Sequence, residues 1–95
     1  LHYPGNSGGN GNGNTLSVAN VSTAFHVYEV EWTSSSIKFF VDGTEFHSFT
    51  NSTSVPFNHD FFFIMNIAMG GSFGGNIDTN FTQSTMEVDY IKVYQ

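Results

Sequence analysis

Eight carboxylates, four histidines and one amide inside an apolar run are the side chains of this 95-residue sequence that could do chemistry. Glu29 and Glu31 stand at i and i+2, as do Glu87 and Asp89. On a strand each pair shares a face, with Cβ atoms about 6.6 Å apart. Such a pair does acid–base work only where the surroundings push the two pKa values apart, an apolar pocket keeping one group protonated. Nothing near either pair suggests that pocket, so both read as acids on exposed strand faces. His2, His26, His47 and His59 show no zinc-ligand spacing. The absence of cysteine excludes disulfides and thiolate metal sites.

The remaining candidate is Asn66, in the run "FFFIMNIAMGGSFGGN" over residues 61–76. As a strand, that run puts Phe61, Phe63, Met65, Ile67 and Met69 on one face, expected to be the core. Phe62, Ile64, Asn66 and Ala68 fall on the other. An amide buried without partners costs about 1 to 3 kcal/mol. Asn66 therefore needs either a neighbouring protein group or the water and ligand hydroxyls of a wet groove.

The elements that must position these groups are all β. Alternating runs cover residues 22–33, 36–43, 44–50, 59–70 and 85–95, and no segment keeps a helical period. Asp42-Gly43 between two such runs is a strong hairpin signal, because the turn needs positive φ. The Gly/Asn-rich residues 4–15 read as a loop within one sheet system rather than a linker, since "LHY" before them already looks like strand. An antiparallel sandwich or barrel is the expected architecture.

Composition bounds the partners. An apolar share of 39 % with eleven Phe allows a core for one small domain. No run approaches the roughly 20 apolar residues that cross a bilayer, so no membrane partner is expected. Lys38 and Lys92 are the only basic residues against the eight carboxylates, leaving no patch to neutralise phosphates, so nucleic acid is not expected either. The acidic balance suits a neutral or polyhydroxylated ligand or a bound cation.

Four segments in order, "LHYPGNSGGNGNGN", "FHVYEVEWTSSSIKFFVDG", "FFFIMNIAMGGSFGG" and "MEVDYIKVYQ", resemble the C-terminal part of a glycoside hydrolase family 16 enzyme, most closely the laminarinases, which are endo-1,3-β-glucanases. The likeness runs over essentially the whole chain. It implies an all-β, antiparallel β-sandwich of the concanavalin A-like β-jelly-roll type, of which residues 1–95 would be the C-terminal portion. The concave sheet would carry a polysaccharide cleft. The family hydrolyses β-glucan with retention through an E-x-D-x-x-E motif, whose carboxyl groups lie about 5 to 5.5 Å apart across the sugar. That motif does not occur in residues 1–95. In the family it lies on the strand just before "LHYPG", so no catalytic residue is assigned in this chain. The spacing of Glu29/Glu31 and Glu87/Asp89 does not forbid retaining chemistry, but neither pair is expected to perform it.

What the resemblance implies for the site is more modest. His2 would point into the cleft beside the reacting sugar, and Asn66 would face the concave side and contact a glucosyl unit. Phe73 of "GGSFGG" takes the place of the rim Trp in the family's "GGxWPG" loop and would stack on a pyranose, with Gly74 in place of Pro leaving the loop less rigid. Asp89 matches a ligand of a structural Ca²⁺ whose other ligands come mostly from earlier in the domain. Trp32 is expected in the core, and His47 and His59 in loops or on the surface.

The implied partners are a β-glucan and the N-terminal portion of the same domain, and the implied location is extracellular. Three Asn-x-Ser/Thr sequences, at Asn20, Asn51 and Asn80, fit that location. The alternative is a non-catalytic carbohydrate-binding jelly-roll module. An immunoglobulin-like adhesion domain is disfavoured, because it has no use for the Asn66 strand or the glycine loop.

Overall fold

The computed structural model describes residues 1–95 except for the side chain of Phe73. Two compact units divide the chain, residues 1–61 and 62–95, and each is described by itself.

The first unit is built on a three-stranded antiparallel sheet of order β1-β2-β3, with β1 at Tyr28–Trp32, β2 at Ser36–Val41 and β3 at Thr44–Thr50. These runs are rich in aromatic and β-branched residues, which suit a pleated, half-buried surface. Asp42 and Gly43 join β2 to β3 with φ of 49° and 76°. Both central residues are thus left-handed, as a type I′ turn requires, and the hairpin signal of the sequence is realised. Thr33 turns the chain from β1 to β2: its hydroxyl accepts the Ser36 N–H at 2.9 Å and its own N–H donates to the Ser36 carbonyl at 2.8 Å. Within β2–β3 the pairing slips between Phe39 and Phe40, leaving Phe46 as an extra residue of a bulge.

Register divides the sheet into two unlike faces. Tyr28, Val30 and Trp32 lie opposite Val41, Phe39 and Ile37, and β3 adds His47 and Phe49. The other face carries Glu29, Glu31, Lys38, Glu45 and Ser48, with Phe40 as its large apolar residue between Glu29 and Glu45. Glu31 and Lys38 pair at 3.4 Å, a surface contact worth about 0 to 1 kcal/mol.

Among the described residues, Ile37, Val41 and Phe57 are the buried apolar ones. Phe57 stands edge-on to Tyr3 and Phe49, with ring centroids 5.6 Å apart in each pair, an arrangement that adds about 0.5 to 1.5 kcal/mol per pair to the burial. Trp32, expected in the core, is 43 % exposed and instead stands edge-on to Phe61 at 5.2 Å.

The buried polar side chain is Asn51, 3 % exposed. Its Nδ2 donates to the Thr33 carbonyl at 2.8 Å and to Asn58 Oδ1 at 3.0 Å, while its Oδ1 accepts the Ser52 N–H at 3.0 Å. One amide thereby ties the β1–β2 turn to the chain that follows β3.

Several expectations need correction. The strand expected over residues 22–33 begins only at Tyr28, because Asn20, at φ 58°, opens a turn whose carbonyl accepts the N–H groups of Thr23 and Ala24. "LHY" forms no strand; Tyr3 and Asn6 close a Pro-Gly turn with Gly5 at φ 81°. His47 is half-buried in β3, its ring stacked on Phe39 at 5.6 Å, rather than in a loop.

In the second unit, residues 62–95, no strand pairing is found at 62–70 or 85–95, although both alternate. Phe62 and Phe63, of opposite parity, are 83 % and 71 % exposed, so neither face is core. Alternation assigns faces, but a strand is held by a ladder, and no strand in either segment pairs with another.

The start of β1 is latched to the hairpin turn by one carboxylate. Asp42 Oδ1 accepts the Val27 N–H at 2.9 Å, Oδ2 accepts His26 Nδ1–H at 2.7 Å, and the Asp42 N–H donates to the Val27 carbonyl at 2.9 Å. The hydrogen bond to Asp42 holds the His26 imidazole above its ordinary pKa, against the desolvation of a ring only 11 % exposed. The carbonyls of Asn20 and Ala19 contribute in the same direction. Neither makes a hydrogen bond to the ring, whose Nε2 is buried without a partner among the described residues.

The same bond, followed by that from Val27, holds Asp42 below the ordinary carboxylate range. A raised His contributes stability that is complete below its unfolded pKa and lost as pH rises through the folded one. A depressed Asp contributes stability present above its unfolded pKa and lost as pH falls through the folded one. The latch is therefore strongest between about pH 4 and 6.5. Urea midpoints from pH 5 to 9 should fall further for the wild type than for His26→Gln, and parallel profiles would mean that the pair does not couple to folding.

Candidate functional site

His2 is placed by the Gly/Asn loop that follows it. The loop runs through a single 3-10 turn at Gly8–Asn10 and returns so that the Asn12 N–H donates to the Leu1 carbonyl at 2.9 Å. Two amides then fasten it to β3. Asn12 Oδ1 accepts His47 Nε2–H at 2.8 Å, and Asn14 Nδ2 donates to the Phe46 carbonyl at 2.9 Å. The bulge in β3 lies at this second fastening point.

The exposed His2 ring lies against Gly11. A Cβ at position 11 would fall 2.8 Å from His2 Cε1 and 3.1 Å from Nδ1, closer than packed carbon atoms approach. Gly11 has ordinary φ of −56°, so its lack of a side chain serves the imidazole rather than the backbone. His2 makes no hydrogen bond among the described residues, which leaves its polar atoms for solvent or a ligand. His47, by contrast, has its ring engaged. The residues that hold His2, namely His47, Asn12 and Gly11, carry no motif; long-range pairs such as Asn12–His47 leave no mark at the level of sequence.

In the second unit Asn66 is exposed in coil, with no partner among the described residues. Just beyond it, Ala68, Met69, Ile77, Asp78 and Phe81 line an open cleft of about 230 Å³ beside the glycine loop. A single helical turn, α1 at Gly71–Gly74, forms that loop, and Gly70, Gly71 and Gly75 have left-handed φ of 72°, 74° and 74°. At Gly70 a Cβ would also meet Ile77 Cδ1 at 3.3 Å. The glycines thus supply a left-handed backbone and, at position 70, room for Ile77.

The expectation for Phe73 lies outside the described residues. Asp89 is exposed in coil. No group of three or more His, Cys, Asp or Glu that could hold a metal ion occurs among the described residues. Asp89 alone does not make a cation site. His2 belongs to the first unit, Asn66 and Asp89 to the second.

The sequence matches the model of the family described as glycosyl hydrolases family 16 over residues 1–92. The chain belongs to that family. Among relatives of this family 16 chain, the β-glucanase of Rhodothermus marinus is 36 % identical over 94 residues, spanning 87 % of this chain and 33 % of the relative. The glucan endo-1,3-beta-glucosidase A1 of Niallia circulans is 39 % identical over 83 residues, 75 % of this chain and 12 % of the relative. The clotting factor G alpha subunit of Tachypleus tridentatus is 34 % identical over 76 residues, 75 % of this chain and 11 % of the relative. The family 16 chain therefore spans a third or less of the length of these proteins. No solved structure matches it closely. Its antiparallel sheet fits a portion of the all-β family fold.

Gly11→Ala tests the seat of His2. The backbone accepts alanine, so the melting temperature should hold or rise slightly, while the His2 ring resonances in an NMR spectrum should shift as the new methyl displaces the imidazole. Unchanged His2 resonances would place the ring elsewhere.

Proposed function

We propose that this chain is the C-terminal portion of an extracellular endo-β-glucanase that hydrolyses 1,3-linked glucan with retention, its catalytic carboxylates lying in polypeptide upstream. The observation that carries this reading is the family match over residues 1–92 joined to the kinship with a glucan endo-1,3-beta-glucosidase. Retaining hydrolysis needs one carboxylate to attack the anomeric carbon and another to protonate the leaving oxygen, then to activate water. No E-x-D-x-x-E lies within residues 1–95, and Glu31 is engaged with Lys38 on the polar face of the sheet.

This chain's own contribution is to bind and orient. His2, free of protein partners and seated on Gly11, would hydrogen-bond sugar hydroxyls near the scissile linkage. Asn66 would offer its amide to a neighbouring unit, where ligand or water supplies the partners that protein does not. Phe73 would give a flat ring for stacking. Polypeptide from the rest of the domain would cover the apolar sheet face, where Tyr28 and Val30 are 66 % and 55 % exposed. That burial is worth about 25 cal/mol for each Å² removed from water.

The second reading is a non-catalytic jelly-roll module that binds glucan without cleaving it, and one relative carries a name that is not a hydrolase's. Reducing-sugar release from laminarin separates the two. The polypeptide that carries this chain should cleave with retention, and changing either motif Glu to Gln should lower turnover by about 100-fold or more. His2→Ala and Asn66→Ala should lower turnover more than they lower the melting temperature. Laminarin binding without cleavage would establish the module reading instead.

Asp89 is proposed as one oxygen ligand of a structural Ca²⁺ completed by groups elsewhere in the polypeptide, since calcium takes six to eight such ligands. A chelator should then lower the melting temperature of the wild-type polypeptide and leave that of Asp89→Asn nearly unmoved. Equal shifts in both would remove Asp89 from the ligand set.

A further inference from the structure

The three Asn-x-Ser/Thr sequences are alike as motifs but occupy unlike environments. Asn51 is 3 % exposed, and its Nδ2 donates to both Thr33 and Asn58. A sugar on that nitrogen would remove one of the two donated hydrogens and would have to pass through packed protein. Asn80 is exposed, but its Nδ2 donates to Asp78 Oδ1 at 3.2 Å.

Asn20 differs from both. It is exposed at the head of a turn fixed by its own carbonyl, which accepts Thr23 N–H at 2.9 Å and Ala24 N–H at 3.0 Å. Its φ of 58° is one that Asn adopts readily, so the turn presents the side chain without strain. Its Nδ2 has no partner among the described residues, and neither does the exposed Ser22 hydroxyl that completes the motif. The neighbouring Val21 is itself 61 % exposed.

We propose that Asn20 is an N-glycosylation site and that Asn51, despite the same motif, is closed to a glycan in the folded protein. In the reaction Asn20 Nδ2 bonds to the anomeric carbon of an oligosaccharide carried on a lipid pyrophosphate. The bond from that carbon to the pyrophosphate oxygen breaks, the lipid pyrophosphate leaves with the electron pair, and the amide gives up one proton. The transferase meets the chain before it folds, so burial does not bar the transfer itself. Folding makes the selection afterwards: a chain modified at Asn20 closes its turn unhindered, whereas one modified at Asn51 cannot rebuild the tie between the β1–β2 turn and residues 52–58.

The proposal rests on the extracellular reading above, and the test supplies that route independently. The natural polypeptide containing this chain is expressed behind a secretion leader in a eukaryotic host, and the soluble secreted fraction is collected. Glycans are removed with a peptide N-glycosidase in heavy-oxygen water, which leaves a labelled aspartate at every former glycan position. Cleavage at Lys38 separates Asn20 from Asn51 and Asn80. Label at position 20 and none at position 51 is expected. Ser22→Ala, which keeps Asn20 and its turn, should abolish the label at 20 while the protein remains soluble. An unlabelled Asn20 in wild-type protein, label surviving in Ser22→Ala, or label at Asn51 in the folded fraction would each overturn the proposal. Because the leader delivers the chain to the transferase, none of these outcomes bears on where the protein naturally resides.

Discussion

A β-strand keeps its shape only while its backbone groups and its apolar side both have partners. β2 is the strand with a ladder on both edges, and among the described residues it holds two of the three buried apolar ones, Ile37 and Val41. β1 has a ladder on one edge and all its residues are exposed. β3 also has one laddered edge, but it gains the Gly/Asn loop through Asn12 and Asn14 and is half-buried at Phe46, His47 and Phe49. Among the described residues, 62–95 form no ladder. Burial falls away from β2 in the sequence that partners fall away, and the candidate residues divide the same way. His2 is held because its loop is pinned to β3; Asn66 lies where nothing pairs.

What could be read without coordinates was whatever depends on near neighbours. Asp42-Gly43 announced its turn because positive φ at two successive positions is a demand few residues meet, and the bounds of β3 came out as expected for that reason. Glu29 and Glu31 read as exposed strand residues for a similar one, charge at every second position leaving one face for water, whereas Glu87 and Asp89 are exposed but lie in coil. Features that join distant residues were illegible. The Asp42 latch closes on His26 and Val27, the Asn12–His47 bond spans 35 positions, and no periodicity encodes either. The runs at 59–70 and 85–95 show the converse. Their alternation is strong, yet it states only which side would face inward, not what would lie there. The start of β1 was misplaced because "STAFHVYEVEWT" alternates before the Asn20 turn has finished.

Polar side chains in this chain divide by whether their hydrogen-bonding capacity is already spent. Asn12, Asn14 and Asn51 are spent on backbone or on other side chains, His47 on Asn12, and His26 and Asp42 on each other. A group so engaged would have to give up a bond worth about 1 kcal/mol, or leave a buried partner unsatisfied at greater cost, before it could meet a ligand. His2, Asn20 and Asn66 carry no such debt among the described residues. The distinction separates identical motifs, as with Asn20 and Asn51, and identical residue types, as with His2 and His47. It also explains why glycine rather than a polar residue stands behind His2. An imidazole held by shape, against a position with no side chain, keeps both nitrogens free, as hydrogen bonds to protein groups would not allow.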